Sequence, residues 1–157
     1  MSRRKKRIER EIILDPKYNS ELVARMVNAM MKKGKKTTAE RIVYGAVDAI
    51  KEKKPDEDAL EVLSKSINHM KPRVEVKSRR VGGATYQVPV EINQGRQLAL
   101  ALRWLVQYAS ARRGLGMPKA VAAEILEAFD GQGNVIKKRD DTHKMAQANK
   151  AFAHYAW

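Results

Sequence analysis

Cysteine is absent from the 157 residues. Disulfides and thiolate metal sites are therefore excluded, and the chain suits a reducing cytosol. No apolar run approaches the roughly 20 residues of a membrane-spanning helix. Behind the basic N-terminus, Ile12-Ile13-Leu14 is too short for a secretory h-region, so a soluble, unexported chain is expected. Acidic residues are scarce: 18 Asp and Glu against 32 Lys and Arg leave a net +14, which calls for a polyanionic partner. Aromatics are few, and Trp104 among others falls at helical spacing, which suits a core better than a base-stacking platform. There is no internal repeat and no long linker, and the length suits one domain able to bury a real core.

The positive charge is unevenly spread. Residues 1–36 hold twelve basic and four acidic side chains, whereas residues 40–70 hold five and seven, so the second stretch is expected to face away from the polyanion. Residues 1–14 read as a basic, flexible arm. Arg3, Arg4, Lys5, Lys6, Arg7 and Arg10 have almost nothing apolar beside them to bury, so the arm should be disordered alone and order on binding. A solubilising tail has the same composition.

Residues 71–91 carry the strongest pattern. Val74 and Val76 alternate with Arg73, Glu75, Lys77 and Arg79, the period of a strand with one face free to pack and the other to touch phosphate. Gly82-Gly83 supplies the positive φ of a tight reversal, and Ala84 to Val90 supplies a β-branched and aromatic return. The expectation is a long basic hairpin over about 73–90. An ordinary edge hairpin with a solvated charged side has a similar pattern.

Everything else reads as helix. Leu22, Val23, Met26, Val27 and Met30 line a helix from Ser20 to Lys33 that Gly34 should close in the left-handed conformation. Thr37 and Glu40 form a capping-box pattern before Ile42, Val43, Ala46, Val47 and Ile50, and Lys54-Pro55 ends that helix. Asp58 should cap a third helix carrying Leu60, Leu63, Ile67 and Met70, stopped by Pro72. Gly95 to Ser110 buries Leu98, Ala101, Leu102, Leu105 and Ala109 and exposes Arg96, Arg103 and Gln107. Pro118 opens a fifth helix that ends at Gly131, and Asp140 or Asp141 should cap a last one reaching Trp157. Residues 15–157 are thus expected to form a single, mainly α domain: a bundle of six helices with a protruding β-hairpin between helices three and four.

Catalytic signatures fail residue by residue. Gly34-Lys35 resembles the end of a phosphate-binding loop, but Lys36 stands where Ser or Thr would hold magnesium and Ala29 where the first Gly belongs. Gly131 and Gly133 are a fragment of a dinucleotide fingerprint behind a helix. Asp140, Asp141 and His143 suit a helix start better than a metal site, and His69 and His154 have no recognisable partner. No enzyme, cofactor, metal, membrane or small-molecule substrate is expected. A sequence-tolerant DNA-binding helical protein remains the alternative to an RNA binder, since it would share the charge and a reading helix.

Ser78-Arg79-Arg80-Val81-Gly82-Gly83-Ala84-Thr85-Tyr86-Gln87-Val88-Pro89, Ala101-Leu102-Arg103-Trp104-Leu105 and the run from Met145 to Tyr155 resemble the bacterial ribosomal small-subunit protein seven family. Asp15-Pro16-Lys17-Tyr18-Asn19-Ser20 and Gly34-Lys35-Lys36 fit as well, in order and spacing over essentially the whole chain. One departure is Ala156, where many members carry Arg before the terminal aromatic residue. The resemblance implies a cytoplasmic structural protein that binds 16S ribosomal RNA, attaches to its 3′ major domain and nucleates assembly of the head. It implies exit-site tRNA and small-subunit proteins nine and eleven as neighbours and, in some bacteria, repression of the protein's own operon messenger. On this reading Arg3, Arg4, Lys5, Lys6, Arg7, Arg10, Lys35, Lys36, Arg73, Lys77, Arg96, Arg112 and Arg113 bind ribosomal RNA, and Arg79, Arg80, Gly82 and Gly83 lie near tRNA. Lys and Arg would displace counterions from phosphates, while the ribbon and helix faces select RNA by shape.

Overall fold

The computed structural model describes residues 13–155; the arm cations Arg3 to Arg10, and Ala156 and Trp157, lie outside them. Asp15 secures the entry to the helical body. Its carboxylate accepts the Lys17 and Tyr18 amides at 3.1 and 3.0 Å and the Tyr44 hydroxyl at 2.7 Å. Burial, then this hydrogen bond, pushes the Tyr44 phenol up to about 12.

Helix α1 (Glu21–Met30) starts where the Ser20 hydroxyl accepts the Val23 amide. It ends with its last apolar position and not at Lys33 as expected, and Gly34 does not close it: Met31 is already extended, and Lys33 shares positive φ with Gly34 in a separate turn. Helix α2 (Lys36–Lys53) has no side-chain cap, because Thr37 lies inside it and does not precede it as a capping box requires. Asp58 caps α3 (Ala59–Met70) through the Leu60 amide. After the hairpin come α4 (Gln94–Ala111), α5 (Met117–Phe129), α6 (Asn134–Ala148) and a 3₁₀ helix (Lys150–Tyr155).

The last helix corrects the sequence reading. Asp140 and Asp141 sit in the middle of α6, which begins seven residues before Asp141 behind Gly133, whose φ of 95° breaks the chain without any capping side chain. The start buries Val135 and Ile136, whereas Met145, expected inside, is exposed.

Helix α5 is apolar almost all round and packs against α2, α3 and α4. Small residues permit its close approach: a Cβ built on Gly45 of α2 would sit 3.2 Å from Pro118. Val43, Val47, Ile50, Leu63, Ile67, Leu105, Val121 and Ile125 fill the interior, and Trp104 joins them at 8% exposure.

Strands β1 (Val74–Val81) and β2 (Ala84–Glu91) pair antiparallel from Val74 opposite Glu91 to Val81 opposite Ala84. Gly82 and Gly83, with φ of 56° and 89°, make the two-residue reversal that their sequence predicts. The fold is therefore mainly helical, with the hairpin between α3 and α4.

Candidate nucleic-acid interface

The hairpin does not divide into an apolar packing face and a basic binding face. Residues directly opposite in an antiparallel pair share a face. Arg79 lies opposite Tyr86, Lys77 opposite Val88 and Glu75 opposite Val90. Val88 is wholly buried, so the face turned to the body also carries these charges.

The C-terminal 3₁₀ helix covers part of that face. Tyr86 packs on Phe152 and Tyr155 with ring centroids 5.1 and 5.2 Å apart, and Arg79 donates to the Tyr155 carbonyl. Arg79 is consequently tied to the C-terminal segment and not held out at the tip. Arg80 is exposed, and Gly82 and Gly83 have open space where a Cβ would stand.

At the hairpin's base, Arg73 donates its amide to His143 Nε2 of α6 at 3.0 Å, leaving its side chain in solvent. Burial, reinforced by Arg139, holds His143 below its ordinary value, consistent with a neutral ring accepting that bond. Lys77 and Arg96 converge on one carboxylate: Lys77 Nζ lies 3.2 Å from Glu75 Oε1, and Arg96 reaches Oε2 at 3.1 Å. These groups line a cleft of about 450 Å³ with Glu91, Ile92 and Asn93.

A second groove, about 390 Å³, follows along α4. Arg25 and Asn28 of α1 face Gly95, Leu98, Leu102 and Arg103 of α4 across it. Arg25 and Leu98 also line a third recess, which contains Lys71. The second and third depressions share Arg25 and Leu98, and Gly95 of the second adjoins Arg96 of the first on α4, so Lys77, Arg96, Arg103, Arg25 and Lys71 follow one another from the ribbon's base across α4 to α1, with Glu75, Glu91 and Glu21 among them.

Arg25 and Lys71 are not among the cations that the sequence pattern singles out, and Arg103 is expected only to be exposed. Arg96 and Arg103 are seven residues apart, two turns of one helix face, and that spacing was the available signal. The acidic neighbours Glu21, paired with Arg25 at 2.6 Å, and Glu75 keep the surface from being uniformly positive.

Other expected RNA contacts fall elsewhere. Lys35 and Lys36 are exposed in and after the α1–α2 turn, with Lys36 4.0 Å from Glu40. Arg112 has an internal role: it lies 2.7 Å from Glu124, whose side chain is fully buried, and 2.5 Å from Glu127. The Glu127 hydrogen bond, outweighing burial, raises the Arg112 pKa. Arg113 beside it is exposed.

The three histidines and Asp140 of the discarded catalytic readings have structural partners, and Asp141 is exposed. His69 Nδ1 lies 3.0 Å from the Ala128 carbonyl, His154 Nδ1 lies 2.9 Å from that of Ala151, and Asp140 pairs with Arg139 at 2.6 Å. Among the described residues no group of three or more His, Asp or Glu is arranged to hold a metal ion.

Residues 2–150 match the family model described as ribosomal protein S7p/S5e. The chain belongs to that family. Small ribosomal subunit proteins uS7 from Anaeromyxobacter sp. (strain Fw109-5), Desulfotalea psychrophila and Stenotrophomonas maltophilia (strain K279a) are 54%, 53% and 53% identical to it, each over the full length of both chains. Membership in the S7p/S5e family makes the chain a structural, non-enzymatic component of the small ribosomal subunit, cytoplasmic in bacteria, and an rRNA-binding protein of translation.

Proposed function

We propose that this chain is a primary binder of 16S ribosomal RNA that attaches to the 3′ major domain and nucleates the head of the subunit. The observation that carries this reading is the row of cations from Lys77 and Arg96 at the ribbon's base to Arg103, Arg25 and Lys71. Arg73, Lys35, Lys36 and Arg113 add exposed cations, and the arm from Arg3 to Arg10 adds a sequence-tolerant electrostatic grip. Grooves between rigid helices and a paired ribbon recognise an RNA fold by its backbone shape, with little need of base edges. Arg112 drops out of the contact set, since its guanidinium is engaged by Glu124 and Glu127.

The exposed tip, Arg80 with Gly82-Gly83, is our candidate contact to exit-site tRNA; Arg79 acts there as the tip's anchor to the C-terminal segment. Small-subunit proteins nine and eleven are the proposed protein neighbours, and the protein's own operon messenger is a second RNA that the same surface would hold.

The test is competition between a 3′ major domain RNA fragment and duplex DNA of equal length across a salt series. RNA is expected to win, with a log-log slope that becomes shallower by several units when residues 1–10 are deleted, at about 0.7 to 0.9 per phosphate contact. Equal affinity for DNA would show that the surface grips any polyanion and does not select the RNA fold.

A further inference from the structure

Glu75 and Glu91 are the two acidic side chains of the ribbon-base cleft, and Glu75 is the one that holds both of its cations. Its side chain is only 13% exposed, while the two cations it binds, Lys77 and Arg96, are 48% and 43% exposed. The anion therefore sits behind and the cations in front. Each carboxylate oxygen holds a different partner, Oε1 the Lys77 ammonium and Oε2 the Arg96 guanidinium, through both Nε and an Nη. Two long side chains from different elements, β1 and the first turn of α4, are thus fixed within the width of one carboxyl group. Lys and Arg carry three and five N–H donors, so both keep donors for the cleft after satisfying Glu75. Burial alone would push the Glu75 carboxyl up, but the Lys77 and Arg96 hydrogen bonds outweigh it and hold the group below the ordinary carboxylate range.

We infer that Glu75 is a positioning residue for a two-cation phosphate grip: it pre-aligns Lys77 and Arg96 so that both engage the RNA backbone at the mouth of the cleft. The inference rests on the proposed RNA-binding reading of these two residues. It predicts a sign opposite to that of simple electrostatics. An acid that only neutralised its neighbours would weaken binding of a polyanion, and removing it would tighten the complex and steepen the salt dependence. An acid that orders two flexible side chains removes an entropic cost that the complex would otherwise meet on binding.

The experiment compares the full chain with Glu75→Gln, with Lys77→Gln/Arg96→Gln and with the triple variant, titrating a 16S 3′ major domain RNA fragment across a salt series and recording thermal unfolding alongside. Glu75→Gln is expected to weaken binding by about three- to tenfold despite adding net positive charge, because each side chain left to be ordered on binding forfeits about that factor or less. Its log-log salt slope is expected to become shallower by about 1 to 2, as two phosphate contacts loosen. The triple variant should bind as the double does, since Glu75 then has no cation left to align. Tighter binding or a steeper slope for Glu75→Gln, with the double variant weakened, would overturn the positioning role. A Glu75→Gln loss that persists undiminished in the double background would assign Glu75 to fold stability, and so overturn it too. If the double variant binds as the parent does, the assignment of Lys77 and Arg96 to RNA has failed, and the grip with it.

Discussion

Replacing Arg112 by Ala separates a cation used inside the protein from one offered to RNA. Arg112 ends α4 and bridges to α5, with its Nε 2.7 Å from Glu124 Oε1 and its Nη2 2.5 Å from Glu127 Oε2. The Glu124 side chain has no solvent exposure, and its second oxygen already lacks a hydrogen-bond partner among the described residues. Truncating Arg112 leaves that carboxylate buried without a counter-charge, a change that costs about 3 to 5 kcal/mol in comparable buried pairs. Glu127 is 40% exposed, so its half of the clamp is screened and adds at most about 1 kcal/mol. Because Arg112 is itself partly exposed, water relieves some of the burial penalty, and the expected loss is about 3 kcal/mol, a large share of a typical domain's stability. Urea unfolding followed by the fluorescence of buried Trp104 measures it. Arg113→Ala, one residue on and exposed, should cost under about 0.5 kcal/mol. Arg112→Ala/Glu124→Gln should recover part of the loss, since an amide is far cheaper to bury than a charge. Equal, small losses at 112 and 113, with a fall in RNA affinity at both, would show that Arg112 is a surface contact and that the clamp contributes nothing.

In α4, Leu105→Ala should cost about 2 to 5 kcal/mol, while Arg103→Ala should cost little stability but weaken RNA binding; equal unfolding midpoints would mean the buried face is misplaced. Stability should decline as pH falls through about 6.5. The folded state holds His143 neutral and below its ordinary value, so the unfolded chain takes up the proton first, and His143→Leu should flatten the pH dependence of the urea midpoint. Gly82→Ala should cost about 1 to 2 kcal/mol through its positive φ alone, because nothing crowds the new Cβ; hydrogen exchange of the ribbon amides would report the loosening. Arg80→Gln should leave incorporation into reconstituted small subunits intact and speed release of exit-site tRNA, and unaltered release would remove the tip from the tRNA contact.

Local patterning specified the elements of this protein. The apolar spacing of α1 to α5, Asp58 as a cap, Pro118 at a helix start, and the Gly82-Gly83 reversal with its strand register all depend on residues a few positions apart, the range over which periodicity and turn chemistry act. The same local rules misjudged α6, because Gly133 starts it by backbone conformation without a capping side chain, while Asp140 and Asp141 imitate a cap in the middle of the helix. Net charge and its concentration outside residues 40–70 were equally legible, and they named the class of partner. What no local rule can supply is which cations remain available. Arg79 is engaged by a carbonyl 76 residues away and Arg112 by acids 12 and 15 away, whereas Arg96, held by an acid 21 away, stays 43% exposed. A guanidinium's availability depends on whether packing sets it against a buried counter-charge, as Glu124 is for Arg112, or an exposed one that water screens, as Glu21 is for Arg25. Composition determined that this chain would seek a polyanion; only the tertiary contacts decided which arginines hold the protein together and which stay exposed on its surface.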